Sequence, residues 1–336
     1  MTTPGALMAA EIAEQPVALA RLLRDGSAAA AEARAAIARY RPRFAVFAAR
    51  GTSDHAALYG KYLAEIVHQL PAGLVSPSSV TVFGARPDMH DVLFVAVSQS
   101  GGSPDLLESL EVARSRGALT IAVTNNAESA LAAAAEFHVD VCAGPERAVA
   151  ATKTYTAELL ALHLLLAGSD GAAGVPEAAD RTLRYASSAY AAAERFTSVD
   201  RLVTTARGYS YPTAREGALK LMETSYLSAQ AFSGADLLHG PLAMLAGPDV
   251  PVLAVTTPGR GSAALAPVLN RLRAANVEVL EVGPGGALPV ACEGLDESLA
   301  PIVEILPLQQ FAWRLAIDRG GDPDRPRGLS KVTETW

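Results

Sequence analysis

Three ionisable residues lie within eight positions of one another, at a spacing that puts them on one face of a helix. Glu216 and Lys220 are four residues apart, and Lys220 and Glu223 are three apart. Two carboxylates around an amine suit general acid–base catalysis, in which a carboxylate moves a proton. The same spacing is also typical of a solvated salt bridge without a chemical role. Gly217 in this helix indicates that another element approaches it closely.

A histidine follows in the loop Leu238-His239-Gly240-Pro241. His239 has no obvious packing purpose there, and an imidazole titrates near neutral pH, which suits acid–base work. The other histidines and the two cysteines show no metal-ligand spacing, so we expect no metal site and no disulfide framework. A serine hydrolase is disfavoured because no GxSxG motif occurs.

Lysine is scarce in this chain. The sequence has 24 arginines but only four lysines, which are Lys61, Lys153, Lys220 and Lys331. Unlike a guanidinium, an amine can lose its proton, form a Schiff base or act as a compact point charge. The four lysines therefore indicate positions where arginine does not serve, although chance retention on surface helices is the alternative.

Two loops rich in small and hydroxyl residues each follow a buried-strand pattern. The first is Gly51-Thr52-Ser53, and the second runs from Ser98 to Ser103. Ligands of open parallel sheets bind at the carboxyl ends of the strands, and hydroxyls beside a helix N-terminus favour phosphate. Ser103 is the expected N-cap of a helix that starts at Pro104. We predict an anion site here, and no nucleotide, since GxxxxGK[ST] and GxGxxG are absent.

The elements that position these residues recur at an offset of about 158 residues. Three pairs of strand-like segments share it: RFAVFAARGTS from Arg43 with RLVTTARGYS from Arg201, DVLFVAVSQSG from Asp91 with DVPVLAVTTPG from Asp249, and ALTIAV from Ala118 with VEVLEV from Val277. Helical patterns lie between the strands, over residues 56–70, 104–116, 152–166, 214–230 and 263–275. This alternation predicts an α/β protein with two doubly wound parallel-sheet lobes related by internal duplication.

The same patterns divide the chain into four parts. Residues 1–40 are expected to form a helical arm, 41–190 the first lobe, 191–319 the second lobe, and 320–336 an extended, Pro- and Gly-rich tail that contributes to the site. A further helical stretch, residues 176–196, leads into the second lobe.

Composition excludes several classes of protein. The chain has 336 residues, is 50% apolar and carries a net charge of −7, which predicts a globular protein of about two domains rather than a disordered one. The negative charge argues against nucleic acid or an anionic membrane as a partner. No apolar stretch is long enough to span a bilayer, and Glu11 and Glu14 lie where a secretory signal needs a basic start. We expect a cytoplasmic protein without a cofactor.

The sequence resembles the sugar isomerase (SIS) family in segments that occur in the same order along the whole chain. They are MAAEIAEQP from Met8, ARGTSDHA from Ala49, SQSGGSPD from Ser98, AVAATKTYT from Ala148, AREGALKLMETSYLSAQAF from Ala214, LLHGPLAML from Leu237 and GLSKVTETW at the end. These segments are similar to the isomerase half of glucosamine-6-phosphate synthase and to stand-alone SIS-type glucosamine-6-phosphate deaminases. The resemblance implies flavodoxin-like lobes.

The resemblance also assigns roles to residues. It implies that Glu223 carries a proton between C1 and C2, that His239 opens the sugar ring and that Lys331 faces the substrate, with Glu216 and Lys220 supporting the proton carrier. Residues matching the sugar-phosphate site are Gly51, Thr52, Ser53, Ser98, Gln99, Ser100, Ser103 and the backbone of Val149. In the family the histidine comes from the neighbouring subunit, which implies a homodimer.

Two positions depart from the synthase: Ala151 replaces a sugar-contacting serine, and Gly102 replaces an acidic residue of the phosphate loop. The chain begins Met1-Thr2-Thr3 without the cysteine of a glutaminase domain, so we expect no glutamine hydrolysis in this polypeptide.

The resemblance therefore implies an enzyme that converts glucosamine 6-phosphate into fructose 6-phosphate and ammonia, and the SDHA, SGGSPD and KVTETW segments favour a stand-alone deaminase. One alternative is another aldose–ketose isomerase or deglycase of an amino sugar phosphate. A non-catalytic sugar-phosphate sensor is the other alternative. The absence of a helix-turn-helix extension and the presence of Glu223, His239 and Lys331 disfavour the sensor.

Overall fold

A computed structural model describes residues 3–246 and 250–331. Residues 332–336, the end of the predicted tail and of the GLSKVTETW segment, lie outside the described residues. The described chain forms two compact units. The first-sheet unit comprises residues 17–146 and 153–173, and the second-sheet unit comprises residues 3–16, 147–152, 174–246 and 250–331. The domain boundaries at residues 40, 190 and 319 stay predictions.

The first-sheet unit contains five parallel strands in the order β2-β1-β3-β4-β5. The strands are β1 (Phe44–Ala48), β2 (Ala72–Leu74), β3 (Val92–Ser98), β4 (Leu119–Thr124) and β5 (Phe137–Asp140). The helices up to the end of this region are α1 (Ala6–Arg21), α2 (Ser27–Tyr40), α3 (Thr52–Val67), α4 (Pro77–Thr81), α5 (Pro104–Ser115), α6 (Ala130–Ala134) and α7 (Lys153–Leu166), with a π-helical turn over Leu22–Gly26.

The second-sheet unit contains four parallel strands in the order β7-β6-β8-β9. The strands are β6 (Arg201–Ala206), β7 (Ser228–Ser233), β8 (Val252–Val255) and β9 (Val279–Val282). The helices are α8 (Val175–Leu183), α9 (Ala186–Glu194), α10 (Tyr211–Ser225), α11 (Gly234–Leu238), α12 (Arg260–Ala274) and α13 (Ala300–Asp318). Short 3₁₀ turns lie over Ala172–Gly174, Gly208–Ser210 and Pro241–Ala246.

The duplication predicted from the sequence is confirmed in the strand order. The three paired segments become β1 and β6, β3 and β8, and β4 and β9, and the order β7-β6-β8-β9 repeats β2-β1-β3-β4. The first sheet has the flavodoxin-like order. Its strands are continuous apolar runs because helices cover both faces of a parallel sheet, and all six residues of β4 are buried.

Two helix predictions need correction, and one helix was missed. The helix predicted over 214–230 ends at Ser225, because Tyr226 adopts a left-handed conformation (φ 56°) and its N–H caps the helix on the Leu221 carbonyl. The residues that follow form the strand β7 instead. The stretch over 176–196 is divided into α8 and α9. Helix α13 was not predicted, since its almost continuous burial leaves no helical periodicity to detect.

Other helical predictions hold. Residues 6–40 are helical throughout, and residues 320–331 contain turns but no helix or strand. The apolar stretch around Leu159 is a buried helix, as expected, because all 14 residues of α7 are buried. No helix in the described chain is both long and apolar enough to cross a membrane.

The turn after β3 depends on Gly101. This residue has a φ of +63°, and a Cβ added to it would lie 2.2 Å from Ser129 Oγ. Gly84 has nearly the same backbone conformation (φ +64°) but no neighbouring atom within 4 Å of such a Cβ. Comparing an alanine substitution at each of these glycines therefore separates the cost of backbone strain from the cost of steric overlap with Ser129.

We predict that Gly84→Ala costs about 1 kcal/mol of unfolding free energy, the usual strain of a left-handed residue. Gly101→Ala should cost about 1–3 kcal/mol more, because the methyl group must also displace Ser129. Urea denaturation of the two variants measures both costs. Equal losses would show that the loop adapts and that the contact with Ser129 does not constrain it.

Candidate active site

The first hydroxyl loop lies at the carboxyl end of β1. Gly51 adopts a positive φ (57°) at the N-cap of α3, and Thr52 and Ser53 form the first turn of that helix. Ser53 is buried, and its Oγ donates a hydrogen bond of 2.8 Å to Glu158 Oε1 on α7. The Ser53 hydroxyl proton is therefore already used in a bond within the protein. Gly51, the N-cap residue, makes no side-chain bond to the first amides of α3.

The second hydroxyl loop follows β3 and leads into α5. Ser98 Oγ accepts the N–H of Gly101 at 3.1 Å, and Ser100 Oγ accepts the N–H of Gly102 at 3.3 Å. Neither hydroxyl donates its own proton to an acceptor within the described ranges. Ser103 occupies the predicted N-cap position, but its side chain does not cap the first turn. The two hydroxyl protons are thus available to an anion at this edge of the first sheet, beside the positive end of α5. The N–H of Leu106 in the first turn of α5 already bonds Asp105 Oδ1 at 2.9 Å.

An ion pair that the sequence analysis missed joins the two loops. Arg50, immediately after the end of β1, donates from Nε to Asp105 Oδ2 at 2.8 Å, and its terminal nitrogen lies 2.6 Å from the same oxygen. Asp105 is buried in the first turn of α5. The Ala-Arg-Gly sequence at residues 49–51 recurs in the second lobe, and this recurrence was the signal that Arg50 has a defined role. The pair fixes the position of one loop against the other.

Helix α10 brings Glu216, Lys220 and Glu223 together, as the spacing predicted. Lys220 Nζ lies 3.2 Å from Glu216 Oε1 and donates a hydrogen bond of 2.6 Å to Glu223 Oε2. The side chains of Glu216 and Lys220 are completely buried, while that of Glu223 is 21% exposed. The solvated salt bridge considered above is therefore excluded, and only one carboxylate of the three-residue cluster is accessible.

The charge state of Lys220 follows from this enclosure. Burial lowers the pKa of the Lys220 ammonium, but the carboxylates of Glu216 and Glu223 outweigh it, and the pKa lies above its ordinary value of 10.5. Lys220 thus remains a cation over the physiological pH range and is not a neutral amine. It acts as a fixed point charge that orients Glu223.

Packing against α13 explains the glycine in α10. A Cβ at Gly217 would lie 3.0 Å from Leu308 Cδ1, so the close approach indicated by the sequence is made by α13. Thr224 adds a second link, since its hydroxyl bonds the carbonyls of Lys220 (2.8 Å) and of Ala312 on α13 (3.4 Å).

The remaining predicted site residues belong to loops of the second-sheet unit. His239 is exposed at the C-cap of α11, and its N–H bonds the Asp236 carbonyl at 3.0 Å. Lys331 is half-buried at the end of the described chain. The N–H of Val149 bonds the Asp324 carbonyl at 3.1 Å, so a backbone contact between Val149 and a ligand would use its carbonyl oxygen.

A buried carboxyl group at the carboxyl edge of the second sheet was also missed. Glu304 on α13 accepts hydrogen bonds from Ser210 (2.8 Å to Oε1), Thr213 (3.0 Å to Oε2) and Thr257. Burial raises the pKa of Glu304 to about 7, although the three hydroxyl bonds oppose the shift. Sequence patterns give no signal for it, because its partners are 47 to 94 residues away.

The predicted residues therefore form two groups, one in each unit. The hydroxyl loops belong to the first-sheet unit, whereas Val149, the α10 cluster, His239 and Lys331 belong to the second-sheet unit. Across the described ranges, no group of three or more His, Cys, Asp or Glu side chains could hold a metal ion.

Comparison with known proteins identifies the family. The family model of the SIS domain matches residues 40–168 and 195–282, which contain both sheets, both hydroxyl loops and helix α10. This chain belongs to the SIS domain family.

Individual relatives add detail. A glutamine–fructose-6-phosphate aminotransferase (isomerizing) from Methanothermobacter thermautotrophicus is 34% identical over 304 residues, which cover 85% of this chain and 50% of the relative. The chain spans about half the length of the curated relatives it matches.

Solved structures have the same fold. A candidate phosphosugar isomerase from Silicibacter pomeroyi DSS-3 is 33% identical, with a TM-score of 0.85 over 94% of this chain and 99% of its own. A glucosamine-6-phosphate deaminase from Thermotoga maritima is 21% identical, with a TM-score of 0.80 over 98% of this chain and 100% of its own. At that identity the second likeness concerns the fold alone.

Lys220 and Lys61 provide a matched test of the buried cluster. Lys61 forms an i,i+4 pair with Glu65 at 2.7 Å, but both of those side chains are partly exposed. We predict that Lys220→Met costs about 3–5 kcal/mol of unfolding free energy, because it leaves buried carboxylates without their cation. Lys61→Met should cost less than about 0.5 kcal/mol.

Chemical denaturation at neutral pH measures both losses. A loss below about 1 kcal/mol for Lys220→Met would contradict an essential buried ion pair.

Proposed function

We propose that this chain is a phosphosugar isomerase that releases ammonia, converting glucosamine 6-phosphate into fructose 6-phosphate. The observation that carries the proposal is the α10 cluster, in which a buried ammonium holds Glu223 while that carboxylate stays 21% exposed. An aldose–ketose isomerisation needs one base that takes a proton from C2 and returns it to C1. A single accessible, oriented carboxylate suits that task.

The chemistry proceeds from the open-chain sugar. His239 opens the pyranose ring, and Glu223 removes the C2 proton to give an enolamine. Return of the proton to C1 leaves an imine at C2, and water hydrolyses this imine to the ketone and ammonia. Lys331 faces the carbon that becomes the ketone. These roles follow from the family resemblance, and the exposure of His239 and Glu223 is compatible with them.

The phosphate of the substrate is assigned to the hydroxyl loops. Ser98 and Ser100 each accept an amide hydrogen and keep their own proton for an anion. The amides that begin α3 and α5 add partial positive charge, which favours a phosphate dianion. Gly102 is exposed and carries no side chain where the synthase has an acidic residue, so the loop presents no carboxylate to repel the phosphate.

The first test measures ammonia and fructose 6-phosphate together after incubation of the purified chain with glucosamine 6-phosphate. We expect the two products in equal amounts. Glu223→Gln should lower kcat by roughly 10²- to 10⁴-fold, the usual contribution of a placed proton carrier, with little change in fructose 6-phosphate affinity. Glu65→Gln, at a partly exposed ion pair on α3, is the matched control and should retain full activity.

Two results would overturn this assignment. Full activity of Glu223→Gln would show that Glu223 does not carry the proton. Tight binding of sugar phosphates by the wild-type chain without turnover of any amino sugar phosphate would favour a sensor, whereas turnover of a different amino sugar phosphate would change the substrate but keep the reaction.

A second proposal concerns assembly: the active form is a homodimer in which each His239 serves the partner's site. The two single variants Glu223→Gln and His239→Ala should each be inactive. When they are refolded together at random, half the dimers are mixed, and each mixed dimer has one intact site. We therefore predict recovery of about a quarter of the wild-type activity. No recovery would mean that His239 acts within its own chain.

A further inference from the structure

The duplicated fold creates an equivalent of the hydroxyl loops in the second-sheet unit. Ser210 follows β6 as Ser53 follows β1, and Thr257 follows β8 as Gln99 follows β3. Such loops at the carboxyl edge of a parallel sheet are where ligands bind in this class of fold. The second sheet therefore has the components of an anion site of its own.

An internal carboxylate occupies this position. The hydroxyls of Ser210, Thr213 and Thr257 all bond the carboxyl group of Glu304, which is completely buried. In the first-sheet unit an internal carboxylate likewise accepts the hydroxyl of Ser53, that of Glu158. The contrast lies in the second hydroxyl loop. The hydroxyls of Ser98 and Ser100 donate to no acceptor within the described ranges.

The helix N-terminus next to these loops is also occupied. The carboxylate of Glu297 accepts the N–H groups of Arg260 at 2.9 Å and Gly261 at 2.7 Å, at the start of α12. Helix α12 follows β8 as α5 follows β3. Side-chain carboxylates of the chain thus satisfy both the hydroxyls and the helix amides that a ligand phosphate would otherwise use.

Glu304 connects this arrangement to the α10 cluster. Two of its three hydroxyl partners, Ser210 and Thr213, lie at the beginning of α10. One helical turn further along α13, Leu308 packs against Gly217 of α10. Helix α13 therefore holds the first part of α10 by two contacts in successive turns, a polar one at Glu304 and an apolar one at Leu308. Lys220 and Glu223 follow in the next part of α10.

We propose that Glu304 is a positioning residue: its carboxylate takes the place of a ligand anion in the second sheet and fixes α10, so that this sheet orients the proton carrier instead of binding substrate. This inference rests on the proposed function, since it assumes that Glu223 moves the proton. A carboxylate with three hydroxyl donors holds all of them in one geometry, whereas a protonated carboxyl group must turn one hydroxyl around.

The ionisation of Glu304 gives the inference a distinct signature. Burial and, to a smaller extent, the charge of Glu297 raise its pKa to about 7 against the opposing effect of the three hydroxyl bonds. Burial raises the pKa of the Cys292 thiol to about 11, and the charges of Glu293 and Glu304 add to this shift. The folded-state pKa of Glu304 exceeds its ordinary value of 4.5. Its contribution to the free energy of unfolding is therefore fully present below pH 4.5 and is lost as the pH rises from 4.5 towards 7.

Three variants test the inference: Glu304→Gln, Glu304→Ala and, as a control at a partly exposed ion pair, Glu281→Gln. For Glu304→Gln we expect kcat to fall at least about tenfold with KM for glucosamine 6-phosphate changed less than about twofold, since orientation and not binding is affected. The ratio of wild-type to variant kcat should increase as the pH rises through 7. Between about pH 4.5 and 7, the wild-type Tm should fall relative to that of Glu304→Gln.

Hydrogen exchange and chemical rescue give readouts that do not depend on turnover by the wild type. Amides of α10 should exchange at least about tenfold faster in Glu304→Ala than in the wild type, because the start of the helix loses its anchor. Formate, which supplies a carboxylate, should slow that exchange again and raise kcat of the alanine variant. Formate should affect neither the wild type nor Glu281→Gln.

The outcomes separate the two proposals. If the wild-type chain has no activity on amino sugar phosphates, the proposed function is wrong. The hydrogen-exchange rates of the α10 amides still decide in that case whether Glu304 fixes the helix. Unchanged α10 exchange in Glu304→Ala overturns the positioning role, whatever the activity. The positioning role is also overturned if kcat of Glu304→Gln stays within twofold of the wild type across the pH range. It is overturned as well if kcat falls and KM rises together.

Discussion

The ammonium of Lys220 has no contact with solvent, and this constraint governs the structure around α10. Removing an ammonium from water costs several kcal/mol, which only close carboxylates and complete hydrogen bonding can offset. Glu216 and Glu223 supply the two carboxylates from the same helix. Their side of α10 must then be shielded from water, and α13 packs next to it through Leu308 at Gly217 and the Ala312 carbonyl at Thr224. The exposed part of Glu223 is the only opening in the cluster.

The two sheets have one topology but treat their carboxyl edges differently. Each edge collects hydroxyls and helix amides, and such an edge requires an anion. At the first sheet, no internal carboxylate accepts the hydroxyls of Ser98 and Ser100 within the described ranges, and Arg50 with Asp105 holds the two loops together. The side chains of Glu297 and Glu304 provide the anions at the second sheet. Duplication therefore does not imply two equal sites, since a few carboxylates are enough to fill one of them.

Features with local or repeated signals could be predicted from the sequence. The duplicated strands were recognised because buried parallel strands are short apolar runs and each run was found twice. The α10 cluster was recognised because helical spacing alone brings its members together. Strand β7 was missed because the predicted helix over 214–230 was extended across it, although residues 227–231 alternate apolar and polar side chains. The end of α10 depends on the left-handed conformation of Tyr226, a residue type that gives no warning of it. Helix α13 is buried on nearly all sides, which removes the periodicity by which amphipathic helices are detected.

The scarcity of lysine pointed to particular positions in the chain but not to the chemical role of the amine there. Scarcity of lysine marked positions where a guanidinium fails, and two of the four, Lys153 and Lys220, are indeed buried. The sequence left open whether such an amine loses its proton, forms a Schiff base or serves as a point charge. For Lys220 the two carboxylates decide the matter, because they raise its pKa and keep it charged. Arginine would bring five N–H donors on a larger, planar head into a completely buried position beside these two carboxylates. Lysine is thus required at this position for its size and its charge, and not for a reactive neutral amine.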